Sequence, residues 1–124
     1  MKKDVFNPGN VAPALPLSHA IHALGLVFVS GQLPFGPGGA YPDGFEAQLR
    51  QVFVNLTAAL KAAGSDLPKV VKTTVFLKSM DDFTELNRIY GEYFTSEPPA
   101  RSTIEVARLP KDALVEIEAV AVKD

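Results

Sequence analysis

PARSTIEVARLPKDALVEIEAVAV, residues Pro99–Val122, alternates apolar and polar positions on both sides of a Leu109-Pro110-Lys111-Asp112 turn. The pattern predicts two β-strands joined as a hairpin. Arg101 opens the first strand after a stiff Pro98-Pro99-Ala100 approach. On the second, Glu116 and Glu118 are two residues apart and share a face, while Val115, Ile117 and Ala119 line the other. A fixed guanidinium facing buried carboxylates is the expected arrangement.

Upstream, Val70–Leu77 sets Val71, Thr73, Val75 and Leu77 against Val70, Lys72, Thr74 and Phe76, a strand with one apolar and one mixed side. Between them, Phe83, Leu86, Tyr90, Tyr93 and Phe94 form the inward stripe of a helix capped by Ser79 or Asp81 and ended by Pro98 and Pro99. An earlier helix is expected from Asp43 as N-cap to Gly64 as stop, with Leu49, Val52, Phe53, Leu56, Leu60 and Ala63 at helical spacing. Phe35–Gly44 is a Gly and Pro cluster and reads as a surface loop. Leu24–Gly31, LGLVFVSG, suits a strand covered on both faces, with Ser18–Ala23 available to pair with it.

The resulting order, strand, strand, helix, strand, helix, strand, strand, predicts an α+β domain spanning residues 1–124. Two helices cover only one side of such a sheet. The other side would expose apolar strand faces, which predicts a homo-oligomer.

The bulk properties narrow the function. A chain of 124 residues with 47% hydrophobic and 21% charged residues is a normal globular composition. It is long enough to bury about two thirds of its unfolded surface. Twelve basic and 14 acidic residues give a net charge of −2, with no basic face to attract nucleic acid. The absence of cysteine excludes disulfides and thiol chemistry and fits a reducing compartment. No apolar run follows Lys2 and Lys3, so no signal peptide is expected, and the Ala20–Pro34 run is too short to span a bilayer as a helix. A soluble cytoplasmic protein without membrane partners is the expectation.

Few residues exceed what folding requires. Arg101 has two readings, a structural ion pair with Glu116 or Glu118, or a planar fork that receives a substrate carboxylate in two parallel hydrogen bonds. Glu118 reads as exposed on a sheet edge or paired with Arg108, Lys72 or Lys111 across the sheet. Ser30 in VSGQLP is no nucleophile elbow, because Phe28 and Gln32 stand where the glycines of G-x-S-x-G belong. Gly31 permits close backbone approach of a ligand. Asn87, at the margin of the second helix's apolar stripe, is placed to hydrogen-bond a loop or strand. His19 and His22, oddly spaced in an extended segment, point to opposite faces and cannot chelate together, and with no cysteine and no H-E-x-x-H pattern a metal site is not expected, nor, without a phosphate cradle, a nucleotide cofactor. The glycines at 36, 38 and 39 lack a following G-K-[ST] and do not form a phosphate cradle.

Three elements together, VSGQLP at Val29–Pro34, VVKTTVFLKSMDDFTELNRIY at Val70–Tyr90, and the PARST start, LP turn and EIE run of Pro99–Val122, resemble the RidA (YjgF) family, whose members are also called endoribonuclease L-PSP. They fall in that family's order across nearly the whole chain. The resemblance implies a chorismate-mutase-like mixed sheet with two helices on one face, assembled as a homotrimer with ligand clefts between subunits. It implies hydrolysis of reactive enamines and imines, such as 2-aminoacrylate, to 2-keto acids and ammonia without a cofactor. On the matching positions, Arg101 would bind the carboxylate of the imino or keto acid and Glu116 would orient or deprotonate the attacking water. Ser30, Gly31, Thr103 and, near the cleft, Asn87 would contact substrate. Leu17 stands where the family's archetypes have a cleft tyrosine, and Thr103 where they often have cysteine. The alternatives implied are a non-catalytic binder of small keto or imino acids, and the ribonuclease or translation inhibitor described for some members.

Overall fold

The computed structural model describes residues 2–123. Its strands are β1 (Asp4–Phe6), β2 (Ala20–Ala23), β3 (Leu26–Gln32), β4 (Val70–Leu77), β5 (Ala100–Glu105) and β6 (Val115–Val122). The helices are α1 (Phe45–Ala62) and α2 (Phe83–Tyr93). One six-stranded sheet runs in the order β1-β2-β3-β6-β4-β5, antiparallel throughout except for the parallel β4–β5 pair. This is the expected α+β arrangement.

Alternation on β6 sets the layers. Val115, Ile117, Ala119 and Ala121 are buried, and they join Val27 and Val29 of β3 and Val75 and Leu77 of β4 in the core. Leu49, Val52, Phe53, Leu56, Ala59 and Leu60 of α1 and Leu86, Ile89 and Tyr90 of α2 complete that core from the helical side. Gly44, at φ 88°, precedes α1 in a conformation that favours glycine, so the expected Asp43 cap is not used. Gly64, at φ 82°, donates its N–H to Lys61 and ends the helix as expected. Ser79 Oγ accepts from Asp81 N and caps a short turn that leads into α2.

Further corrections to the sequence reading concern the strands and the second helix. The Pro99–Val122 strands do not form a hairpin, because β4 lies between them: β5 pairs with one edge of β4 and β6 with the other. Residues 106–114 arch over the end of β4, with Val106 N donating to Leu77 O and Lys78 N to Leu114 O. Strand β1 was not anticipated. Phe83 is 38% exposed rather than part of the inward stripe, and Ile89 takes the buried position instead.

Both helices lie on one face. The opposite face carries Phe28, 44% exposed, and Ile104, also 44% exposed, beside Phe76, Val120 and Val122. Among the described residues no helix is long and apolar enough to cross a membrane.

Candidate functional site

Strand β3 contains a bulge. Val29 pairs with Ala119 and Gln32 with Ile117, so three steps along β3 answer two along β6. The Gly31 backbone is thereby brought against Glu116. A Cβ on Gly31 would overlap the Glu116 carboxylate, lying 2.9 Å from its Cδ and 3.3 Å from its Cγ. Glu116 is half-buried, and desolvation first, then the neighbouring Glu118 charge, raises its pKa above the ordinary carboxylate value.

Ser30 ties this bulge to the preceding loop. Its Oγ donates to Ser18 O at 2.6 Å and its N–H to His19 O at 3.0 Å. The side chain therefore has a structural partner. Gln32 Nε2 donates to Ser30 O at 3.0 Å.

Around Gly31 opens a cavity of about 490 Å³, whose walls include Leu15, Leu17, His19, Leu33, Phe35 and Ala58. His19 Nδ1 is buried with no hydrogen-bond partner among the described residues. The sequence reading had considered His19 only as a metal ligand, and a lone imidazole in an extended stretch gives no spacing signal for any other role. His22 Nδ1, by contrast, lies 3.4 Å from Asp4 Oδ2. Tyr41, within the segment read as a bare surface loop, packs on Phe35 with ring centroids 4.8 Å apart and donates to Pro110 O at 3.0 Å. Burial first, then the Glu116 charge, raises its phenol pKa, which sets Tyr41 within the electrostatic reach of Glu116.

Arg101 lies elsewhere. Its register partner is Thr73, which is fully buried on the helical face, and its guanidinium carbon lies 4.8 Å from the centroid of Tyr90 and 5.7 Å from that of Phe83. Arg101 Nη2 donates to Asn87 Oδ1 at 2.8 Å. Tyr90, the nearer platform, is fixed by a 2.7 Å hydrogen bond between its hydroxyl and Thr73 Oγ1. Its own phenol pKa is raised by burial, with opposing contributions from Thr73 and Arg101. A second cavity of about 320 Å³ lies here, with Asn87, Tyr90, Phe94, Pro99 and Arg101 in its wall. Thr103, opposite Val75, has a buried Oγ1 without a partner among the described residues.

The expected meeting of Arg101 with the β6 glutamates does not occur within one chain. Thr73 and Phe76 point to opposite faces of β4, so their partners Arg101 and Glu116 do too. Arg101 makes no ion pair among the described residues, which removes its reading as an internal salt bridge. Glu118 is exposed, on a central strand rather than an edge. The candidate residues thus form two groups: Leu17, Ser30, Gly31 and Glu116 in one, Asn87, Arg101 and Thr103 in the other. One offers a carboxylate of raised pKa beside bare backbone, suited to taking a proton from water. The other offers an unpaired guanidinium on an aromatic platform, suited to holding a carboxylate. No group of three or more metal-ligating side chains occurs among the described residues.

Residues 9–123 match the family model described as Endoribonuclease L-PSP. A RutC family protein of Pyrococcus horikoshii is 45% identical over the full length of both chains. Reactive Intermediate Deaminase A, chloroplastic, of Arabidopsis thaliana is 44% identical over 98% of this chain and 66% of its own. Among solved structures, E. coli TdcF with bound serine superposes with a TM-score of 0.90 at 34% identity, covering 98% of this chain and 99% of the other.

Proposed function

The chain belongs to the endoribonuclease L-PSP family, which includes the RidA (YjgF) proteins, and from that premise we propose that it hydrolyses 2-imino acids and their enamine tautomers to 2-keto acids and ammonia. The observation that carries this reading is the Arg101 guanidinium, oriented by Asn87 and Tyr90 yet paired with no carboxylate among the described residues. A cation so positioned is prepared for an acid from outside. The family includes a protein named as a reactive intermediate deaminase, and a similar structure holds serine, a small amino acid.

The proposed site is shared between copies of a homotrimer. Arg101 of one copy grips the substrate carboxylate and sets the imine carbon over the Thr103 backbone and the Gly31 backbone of the next copy. Glu116 of that copy takes a proton from water as the oxygen bonds to the imine carbon. The C=N π pair moves to nitrogen, which gains a proton, and a carbinolamine results. Glu116, having passed the water proton to nitrogen, accepts the carbinolamine hydroxyl proton and passes it to the amine, so that the carbonyl forms as the C–N bond breaks and the protonated amine leaves as ammonia. Water in and ammonia out balance the reaction. The raised pKa of Glu116 brings this base closer to neutral pH, where proton transfer is more effective.

The test follows keto acid release from imines generated in situ by an amino acid oxidase. Acceleration by the native chain, abolished in Arg101→Ala, supports the proposal. Binding of 2-keto acids without acceleration points to a sensor of the same acids, and salt-sensitive RNA cleavage points to a nuclease.

A further inference from the structure

Only three polar side chains, His19, Gln32 and Asn55, stand in the wall of the cavity beside Gly31. Two of them are engaged with the protein itself. Asn55 Nδ2 donates to Leu33 O at 2.8 Å and Phe35 O at 2.9 Å, while its Oδ1 accepts from Gln51 Nε2 at 3.0 Å. Gln32 Nε2 donates to Ser30 O at 3.0 Å. His19 differs, because its Nδ1 is buried with no hydrogen-bond partner among the described residues. With Nδ1 sealed, Nε2 is the nitrogen through which the ring can meet the cavity.

The backbone fixes His19 at both ends of its peptide units. Its N–H donates to Asn7 Oδ1 at 2.9 Å, and its carbonyl accepts from Ser30 N at 3.0 Å. The second bond carries the β2–β3 register one pair beyond Ala20 and Val29. Ala20 is in the core, so alternation sets His19 on the opposite sheet face, the one that also carries Glu116. Strand β3 lies between the two, and two strand spacings put their backbones about 10 Å apart. Gly31, with no side chain, lies in that gap. A small molecule resting on Gly31 therefore has a carboxylate on one flank and an imidazole on the other.

We infer that His19 is a further catalytic residue, whose Nε2–H donates a hydrogen bond to the imine nitrogen as water adds from the Glu116 side. This inference rests on the deaminase reading for its reaction and on the unpartnered ring for its assignment. Water bonds to carbon through oxygen and loses a proton to Glu116, and the C=N π pair becomes a lone pair on nitrogen. Charge develops there before the carboxyl can return the proton, and a donor already aimed at that atom lowers the barrier. The ring keeps its own proton throughout, so water in and ammonia out still balance. Which nitrogen of a neutral imidazole carries the proton is set by the hydrogen bond that the other makes. Nδ1 makes none, so an acceptor in the cavity fixes the Nε2–H form. A 2-keto acid presents its carbonyl oxygen where the imine has nitrogen, and it should fix the same form.

The experiment combines steady-state kinetics on an oxidase-generated imine with nitrogen NMR of the imidazoles during titration with pyruvate. His19→Leu should lower kcat by about 10²-fold with little change in KM, since removing one preorganised donor costs about 10²–10³ in kcat while Arg101 still holds the carboxylate. His19→Gln, which carries an amide N–H near the place of Nε2, should restore most of the loss. In the native protein pyruvate should drive His19 to the Nε2–H tautomer and leave His22, beside Asp4, unmoved. Native kinetics in both variants, or pyruvate bound without a tautomer response, overturns the inference and leaves the deaminase reading intact. Equal losses in both variants, accompanied by lower melting or a changed subunit count, give His19 a structural role and overturn it as well. If the native chain accelerates no imine, the deaminase reading falls, and a tautomer response to pyruvate then supports His19 as a contact to the bound acid.

Discussion

Glu116 occupies the space where a side chain on Gly31 would begin. The two residues belong to adjacent strands, and the β3 bulge creates their contact. Gly31 is not in the left-handed region of backbone space, so alanine there meets no backbone strain and acts only through this overlap. Gly31→Ala is expected to displace the carboxylate, lower stability by about 1–3 kcal/mol through overpacking, and reduce deamination nearly as much as loss of Glu116 itself. A double-mutant cycle with Glu116→Ala checks the cause. In that background the added methyl should cost much less in thermal unfolding, because the group it strikes is gone.

Glu116→Gln separates chemistry from stability. On the proposed mechanism, loss of Glu116 as general base should lower the rate by about 10²–10⁴, measured as keto acid release. The stability effect has the opposite sign. A carboxyl whose folded pKa lies above its unfolded value binds protons more tightly in the native state, so its contribution is most favourable below the unfolded pKa and is lost as pH rises through the folded pKa. At neutral pH the native protein therefore bears the cost of a half-buried charge beside Glu118. Melting of Glu116→Gln should exceed that of the native chain at pH 7, and the gap should shrink on acidification through the carboxylate range.

Asn87 and Tyr90 determine where the Arg101 fork points. A hydrogen bond to a charged group contributes about 1.5–3 kcal/mol when well shielded, and less at an exposed position such as Asn87. Asn87→Ala is expected to raise KM roughly tenfold with a smaller change in kcat, because the guanidinium survives but is free to swing on the Tyr90 ring. Arg101→Lys should lose more, since an ammonium cannot present two parallel donors to a carboxylate. Steady-state kinetics on one imine distinguish the two.

Much of this architecture was legible because side-chain period reports faces directly. Leu49, Val52, Phe53, Leu56 and Leu60 announce α1 at helical spacing, and Val115, Ile117 and Ala119 announce the core side of β6. Partnership between strands was not legible. The alternation in Pro99–Val122 specifies which side chains point inward but not which strand lies alongside. Insertion of β4 is made by backbone ladders to β5 and β6, joined at their end by the Val106–Leu77 and Lys78–Leu114 bonds, and backbone bonds leave no mark on residue type. Strand β1, three residues long, is too short to show a period. Arg101 stood out by its position after two prolines, whereas its platform, Tyr90, was indistinguishable from an ordinary core aromatic. The same limit hid the separation of Arg101 from Glu116, because a false hairpin placed them together.

That separation supplies the strongest test of a shared site. Within one chain Arg101 projects toward α2 and Glu116 toward the uncovered sheet face, so neither can act on a substrate held by the other. If each cleft takes Arg101 from one copy and Glu116 from the next, Arg101→Ala and Glu116→Gln should each be inactive alone yet recover activity when unfolded and refolded together. In randomly mixed closed trimers, a cleft is intact only when a Glu116→Gln copy supplies the arginine and an Arg101→Ala copy the glutamate. An equal mixture should therefore regain about one quarter of native activity. Refolding each variant separately before mixing should give none until subunits exchange. Absence of recovery from a co-refolded mixture that sediments as a trimer would show that the two groups never serve one cleft, and the hydrolytic reading would have to find its base elsewhere.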